Sequence, residues 1–184
     1  MQRLLLTLDT PAANLALDEA LLDAAEAEGT DVEYLRLWES PQPMVVLGRS
    51  SRVDVEVDLK KCAQRRIPVL RRASGGATIV AGPGCLMYAV VLSYARRPES
   101  RGVNEGHRYV LARLAEALAR QEPTVRLAGT SDLAFVGAGL PSGKAPLRKF
   151  SGNSMRVKRT HFLYHGTLLY DFELSIVNDC LRTP

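Results

Sequence analysis

With 184 residues, 46% of them hydrophobic and 24% charged, the chain has the size and composition of one globular domain, which excludes disorder, collagen-like repeats and a whole-chain coiled coil. No apolar run approaches the roughly 18 residues a membrane span needs, and Asp9, Asp18 and Glu19 interrupt the apolar start, so neither an anchor nor a signal peptide is expected. The net charge of +4 balances 24 basic against 20 interspersed acidic residues, without a basic helix or an aromatic-interleaved motif, and no nucleic-acid partner is expected.

An amphipathic helix is expected over residues 14–28, with Asn14 as its cap, Leu15, Leu17, Leu21 and Leu22 as an apolar stripe, and Gly29 closing the end. Residues 34–38 alternate with period two, and 44–47 form a short apolar run between Pro43 and Gly48; both read as strands. A short helix over 59–66 follows, then a strand over 68–71 that runs into a glycine loop. Residues 86–93 read as an apolar strand and 103–121 as a helix ended by Pro123. Further strands are expected at 125–127, 133–136, 149–155 and 162–169, mostly in hairpins. The turn-rich segment 136–147 is expected to be a mobile flap. This order predicts one α+β domain over 1–184, a largely antiparallel sheet flanked by helices rather than a doubly wound βαβ fold. Cys62, Cys85 and Cys180 are odd in number, far apart and without metal-site spacing, which points to a reducing cytoplasm.

Three segments carry the candidate chemistry. In the first, Arg71 and Arg72 lead into Ser74, Gly75 and Gly76, followed by Ala77, Thr78, Ile79 and Val80. Glycine admits close approach of backbone N–H groups to phosphate oxygens and arginine neutralises them, so this reads as an anion cradle; a hairpin turn with solvated arginines is the alternative. It matches neither the P-loop nor the dinucleotide fingerprint. In the second, residues 148–156, strict alternation would send Lys149, Ser151 and Asn153 to one face and Phe150 to the other. A lysine there can bridge a carboxylate and a phosphate; a polar strand facing water is the alternative. In the third, His165 sits beside Gly166 and Thr167, as a structural hydrogen-bonder or a site group. Asp132, at a strand start, reads either as a turn-former or as a metal-facing carboxylate.

These segments, in this order, together with residues 14–19 and 45–49, resemble the lipoate-protein ligase A family of the biotin and lipoate ligase superfamily. The resemblance runs over nearly the whole chain. It implies a central mixed sheet flanked by helices and a two-step reaction: lipoate attacks the α-phosphate of ATP, pyrophosphate leaves, and the lipoyl adenylate acylates a lysine of a lipoyl-domain or H-protein acceptor. Carried over, Arg72 and residues 77–80 would line the nucleotide and lipoyl site, with Gly75 and Gly76 approaching phosphates and Ser74, Ser151, Gly152 and His165 contributing to binding. Lys149 would hold both carboxylate and phosphate, and Asp132 would orient Lys149 or carry Mg²⁺. Leu70, Ile79 and Tyr88 are candidates for a tunnel around the acyl tail.

The chain departs from the family pattern after the glycine signature, where Ala77 and Ala81-Gly82 replace a third glycine and a His-Asp pair, so the 81–84 loop is expected to treat nucleotide differently. It also ends soon after the His-Gly-Thr strand, so the family's C-terminal extension is expected to be lacking or supplied by a separate accessory domain. The rivals are an octanoyl or lipoyl transferase working through a cysteine thioester, and a catalytically silent acyl-binding homologue. No cysteine stands in the stretch before Asp132, and Cys85 reads as a buried structural thiol.

Overall fold

Two nine-residue strands buried at most of their positions, β6 (Cys85–Ser93) and β10 (His161–Leu169), pair antiparallel over their whole length. Around them the computed structural model, which describes residues 1–29, 32–137 and 146–182, builds a seven-stranded mixed sheet in the order β1-β2-β6-β10-β9-β8-β7. The added strands are β1 (Gln2–Leu5), β2 (Tyr34–Glu39), β7 (Val125–Ala128), β8 (Asp132–Val136) and β9 (Leu147–Val157), and only β1 pairs parallel, against β2. A second, three-stranded sheet has β3 (Met44–Leu47) between β4 (Val69–Arg71) and β5 (Ile79–Ala81).

Each face of the large sheet is covered by one long helix, which is how alternation on its strands becomes two half-cores. Helix α1 (Pro11–Glu28) buries Leu22 and Ala25 against Tyr34, Ala89, Val91 and Leu163. The short helices α2 (Val53–Glu56) and α3 (Leu59–Gln64) lie beside the small sheet. On the other face, α4 (Val103–Ala119) sets Tyr109, Val110 and Leu111 against Tyr88, Leu92, Leu133, Phe150, Phe162 and Tyr164. A last short helix, α5 (Ser175–Cys180), packs with α3 in the cluster of Val45, Val57, Cys62, Val80 and Cys180.

The structure moves the start of α1. Thr10, not Asn14, is its cap, with Thr10 Oγ1 accepting from Ala13 N at 3.2 Å and Pro11 supplying the fixed φ that suits a first turn. Asn14 is fully buried one turn in; its Oδ1 accepts from Leu8 N at 2.8 Å and its Nδ2 donates to Leu8 O at 2.8 Å. Strands β1 and β5 and helices α2 and α5 had no period long enough to register, being three to six residues each. The expected flap over 136–147 lies mostly outside the described residues, since only Val136, Gly137, Pro146 and Leu147 fall within them.

Candidate active site

Beyond β4 the chain turns under its two arginines. Arg71 Nη1 donates to the carbonyls of Gly48, Arg49 and Ser51 at 2.6, 3.1 and 2.9 Å, so this arginine ties down the loop after β3. Arg72 is buried and spreads its fork over Val46 O (3.2 Å), Gly75 O (2.6 Å), Ala77 O (2.9 Å) and Ser74 Oγ (3.1 Å). Gly76 has φ +88°, and a Cβ there would stand 2.9 Å from Arg72 Nη2, so the loop closes on the guanidinium only with glycine at this place. Burial pulls the Arg72 pKa down to about 10 against the opposing charge of Glu56, which leaves the group cationic at neutral pH. The alternative of solvated arginines is thereby set aside for Arg72, whose N–H groups mould the loop.

Thr78 is held by Glu56, whose Oε2 accepts from Thr78 Oγ1 at 2.5 Å and from Thr78 N at 3.2 Å. The 81–84 segment is a tight turn in which Cys85 N donates to Gly82 O at 3.0 Å and Gly84 O accepts from Tyr170 N and Asp171 N. Residues 81–84 line neither of the two cavities at the loop, so this part of the departure from the family pattern falls in a structural turn, whereas Ala77, the other part, lines both.

The second motif corrects the alternation argument. On β8 the consecutive residues Leu133 and Ala134 face Ser151 and Lys149, so a one-residue bulge at Phe150 shifts the phase of β9. Lys149 therefore shares a face with Asp132 and Gly152, whereas Ser151 and Asn153 fall on the opposite, α4 side with Leu133 and Phe150. Lys149 Nζ lies 2.7 Å from Asp132 Oδ2 and arches over Gly152. Behind it, Asn153 Oδ1 accepts from Tyr88 Oη at 2.5 Å, while Asn153 Nδ2 donates to Ser131 O at 2.7 Å and fixes the turn that presents Asp132. Gly166 makes room for this amide, since a Cβ there would stand 1.8 Å from Asn153 Oδ1.

His165, on β10, has Nε2 at 2.5 Å from Ser74 Oγ and Nδ1 at 3.6 Å from Asp18 Oδ2. Asp18 Oδ1 in turn accepts from Arg36 Nη1 at 2.6 Å. Ser154 Oγ donates to Gly75 O at 2.7 Å, a second tie between the large sheet and the loop.

A cavity of about 210 Å³ opens between these parts, with Arg72, Gly76, Ala77, Ile79, Asp132, Lys149, Gly152 and His165 all in its wall. Of the other expected site residues, Ser74 and Gly75 lie behind the wall, bonded to His165 and Ser154, and Thr78 borders an adjoining cavity of about 620 Å³ that also touches Gly76 and Ala77. Val80 and Ser151 are buried in packing, away from this wall. Of the tunnel candidates only Ile79 lines the cavity; Leu70 packs with Trp38 and Met44, and Tyr88 faces α4, while Leu15, Val46 and Met87 supply the remaining apolar wall. Leu15 was legible only as part of a helix stripe, and Val46 and Met87 only as strand residues.

Among the described residues no three His, Cys, Asp or Glu side chains gather where a metal ion could sit, and the carboxylate of Asp132 is engaged by an ammonium. This donor set does not fit a resident ion. The three cysteines are free and buried outside the cavity wall, and burial pushes the Cys85 thiol up to about 12. No helix among the described residues is long and apolar enough to cross a membrane.

Comparison with known proteins agrees with this architecture. The Schizosaccharomyces pombe protein named "Putative lipoate-protein ligase A" is 28% identical over 174 residues, covering 95% of this chain and 42% of its own length. An octanoyltransferase, LipM of Geobacillus kaustophilus, is 27% identical over 187 residues, covering 95% of this chain and 66% of its own. The solved structure of lipoate-protein ligase A bound with ATP superposes with a TM-score of 0.81 at 20% identity, over all of this chain and 72% of that one, and so shares its fold. The chain spans about half the length of the lipoate-ligase relatives it matches. The family model "Lipoyl protein ligase A/B catalytic domain" matches residues 10–184, and the chain belongs to that family.

Proposed function

We propose that this chain is the catalytic domain of an ATP-dependent lipoate-protein ligase. A carboxylate oxygen of lipoate, or of octanoate, attacks the α-phosphorus of ATP; pyrophosphate departs, and an acyl adenylate remains. The amine of an acceptor lysine then attacks the acyl carbonyl and AMP departs. The observation that carries the reading is that Lys149 and the Arg72–Gly76 turn, distant in sequence, form the wall of one cavity that also has an apolar side made by Leu15, Val46, Ile79 and Met87.

Two anions must meet before they react, and fixed cations offset their repulsion. Lys149, 60% exposed, can reach both while Asp132 orients it; Arg72 adds a buried charge behind the loop. Holding both reactants in register supplies up to about 7–11 kcal/mol toward the barrier. ATP enters with Mg²⁺ on its phosphates, and no step here needs the ion on the protein. The acyl tail lies against Leu15, Val46, Ile79 and Met87. The acceptor is a lipoyl domain or H-protein, the setting cytoplasmic, and a separate accessory domain can assist activation.

The octanoyltransferase relatives give a second reading, acyl transfer between carriers through a thioester. None of the three thiols borders the cavity, which favours the ligase. Incubation of the protein with ATP, Mg²⁺ and lipoate should release pyrophosphate, and adding a lipoyl domain should then yield the lipoylated lysine. No pyrophosphate, with acyl transfer from a carrier that is lost on alkylating cysteine, would establish the transferase instead. Binding of lipoate with neither reaction would mark a silent homologue.

A further inference from the structure

The hydrogen bonds around His165 run in one direction, and the direction can be read from which groups are able only to donate. Arg72 has no acceptor, so Ser74 Oγ accepts from Arg72 Nε at 3.1 Å and must place its own hydrogen elsewhere. Its other partner is His165 Nε2 at 2.5 Å, and the hydroxyl hydrogen finds an acceptor there only if Nε2 carries no hydrogen, the arrangement that leaves neither group unpaired. The imidazole hydrogen then resides on Nδ1, which faces Asp18 Oδ2 at 3.6 Å, a charge contact longer than a hydrogen bond. Asp18 cannot turn away. Its Oδ1 accepts from Arg36 Nη1 at 2.6 Å, and Arg36, fully buried, is itself held by Leu6 O, Asn14 O and Asn14 Oδ1. The other charged groups facing this side of the cavity are the Asp132–Lys149 pair.

We propose that Asp18 is a positioning residue of this site: its carboxylate, facing His165 Nδ1, favours the imidazole tautomer that the Arg72–Ser74 bond requires, and so helps hold the Arg72–Gly76 turn in the shape that receives the substrate anions. The kinetic consequence rests on the ligase reading above. The hydrogen-bond direction does not. Ser74 is 1% exposed and cannot itself meet substrate, so its hydroxyl acts on the loop rather than on the reaction.

The decisive variant is Asp18→Asn. Arg36 can only donate, so the new amide presents its oxygen to Arg36 and turns its NH₂ toward His165 Nδ1, which replaces the carboxylate that favours a hydrogen on Nδ1 with a donor and so favours the hydrogen on Nε2, in opposition to the bond from Ser74. Because the acceptor for Arg36 is kept, the fold should survive, as circular dichroism and thermal melting will record.

Two readouts are expected. In ¹⁵N NMR of the ring nitrogens at neutral pH, His165 of the wild-type protein shows the Nδ1–H tautomer, and in Asp18→Asn the Nε2–H tautomer. In pyrophosphate release, Asp18→Asn lowers kcat about 10–100-fold, the range seen when a group that orients a site residue is lost, with the KM for lipoate little changed. In a Ser74→Ala background the same change costs no more than about twofold, because the link it acts through is gone. An Nε2–H tautomer in the wild type, an unchanged kcat in Asp18→Asn, or full additivity of the two substitutions would each overturn the proposal. The expected tautomers in a protein that releases no pyrophosphate would leave the positioning intact and refute the ligase reading alone.

Discussion

The two faces of the seven-stranded sheet are built on opposite principles. Toward α4 the side chains are aromatic and stacked: Tyr94 on Phe162 with ring centroids 5.3 Å apart, Phe135 on Phe150 at 4.1 Å. Toward α1 the same strands bury Asn14, Asp18, Arg36 and His165, joined by hydrogen bonds and charge. An apolar face tolerates small shifts, because packing depends on volume and contact area. A wired face does not, since each buried polar atom needs a partner at one distance and one direction. The cavity lined by Arg72, Lys149 and His165 opens on the wired side, where geometry is held most tightly.

That contrast can be tested by breaking each face in its own currency of interaction. Phe162→Ala should cost about 3–5 kcal/mol through the cavity left behind. Arg36→Ala should cost a similar 3–5 kcal/mol by stranding Asp18 without its buried partner. Chemical denaturation separates the two: added small apolar solutes should partly rescue the first and not the second. A site residue on the rim should behave otherwise. Lys149→Ala is expected to lower pyrophosphate release about 10²–10³-fold. Its stability should move by less than about 1 kcal/mol, because the ammonium is largely exposed and Asp132 keeps access to solvent. Unfolding of that variant at the temperature of assay would remove the distinction between rim and wiring. Gly166→Ala should cost about 1–3 kcal/mol by driving Asn153 out of its place, with Tyr88 losing its hydrogen-bond partner.

Acid titration sharpens the comparison from outside the site. Burial alone would raise the Glu33 pKa, but the bond from Arg97, the Ser93 N–H and the Arg97 and Arg96 charges together hold it below the ordinary carboxylate range. A folded-state pKa below the unfolded value means stability that is present above the unfolded pKa and lost as pH falls through the folded one. Thermal unfolding from roughly pH 5 down to pH 3 should therefore weaken the wild-type protein more steeply than Glu33→Gln. Parallel curves would show that Glu33 contributes no pH-dependent stability.

Much of the scaffold was legible because its long elements carry a period. The helix α4 announces itself by spacing and by Pro123 beyond its end, and the strands β6, β9 and β10 by runs of strand-forming residues, β6 with Gly84 and β9 with Pro146 before it. The loop at Arg72–Gly76 was legible as a motif, but the use of its arginines was not: nothing in Arg-Arg-Ala-Ser-Gly-Gly says that one fork closes on Gly48, Arg49 and Ser51 and the other on Gly75 and Ala77. Asn14 reads locally as a cap because its partners, Leu8 and Arg36, are set by tertiary contact. Ser151 was assigned to the cavity by counting in twos, and a bulge is invisible to such counting because it leaves no composition signal.

That bulge makes the interval between Lys149 and Gly152 a matter of phase. Three steps along a regular strand would place the two on opposite faces, and here they share one because Phe150 is an extra residue absorbed into the ladder. A chain with a single residue between the lysine and the glycine would reach the same side by plain alternation, without the ring that stacks on Phe135. Deleting Phe150 should therefore leave the ammonium facing Asp132 while removing an anchor from the opposite core. Loss of a neighbouring residue from the 152–157 stretch would instead turn the lysine inward or break the ladder. For this strand, length carries the chemical information that residue identity carries elsewhere.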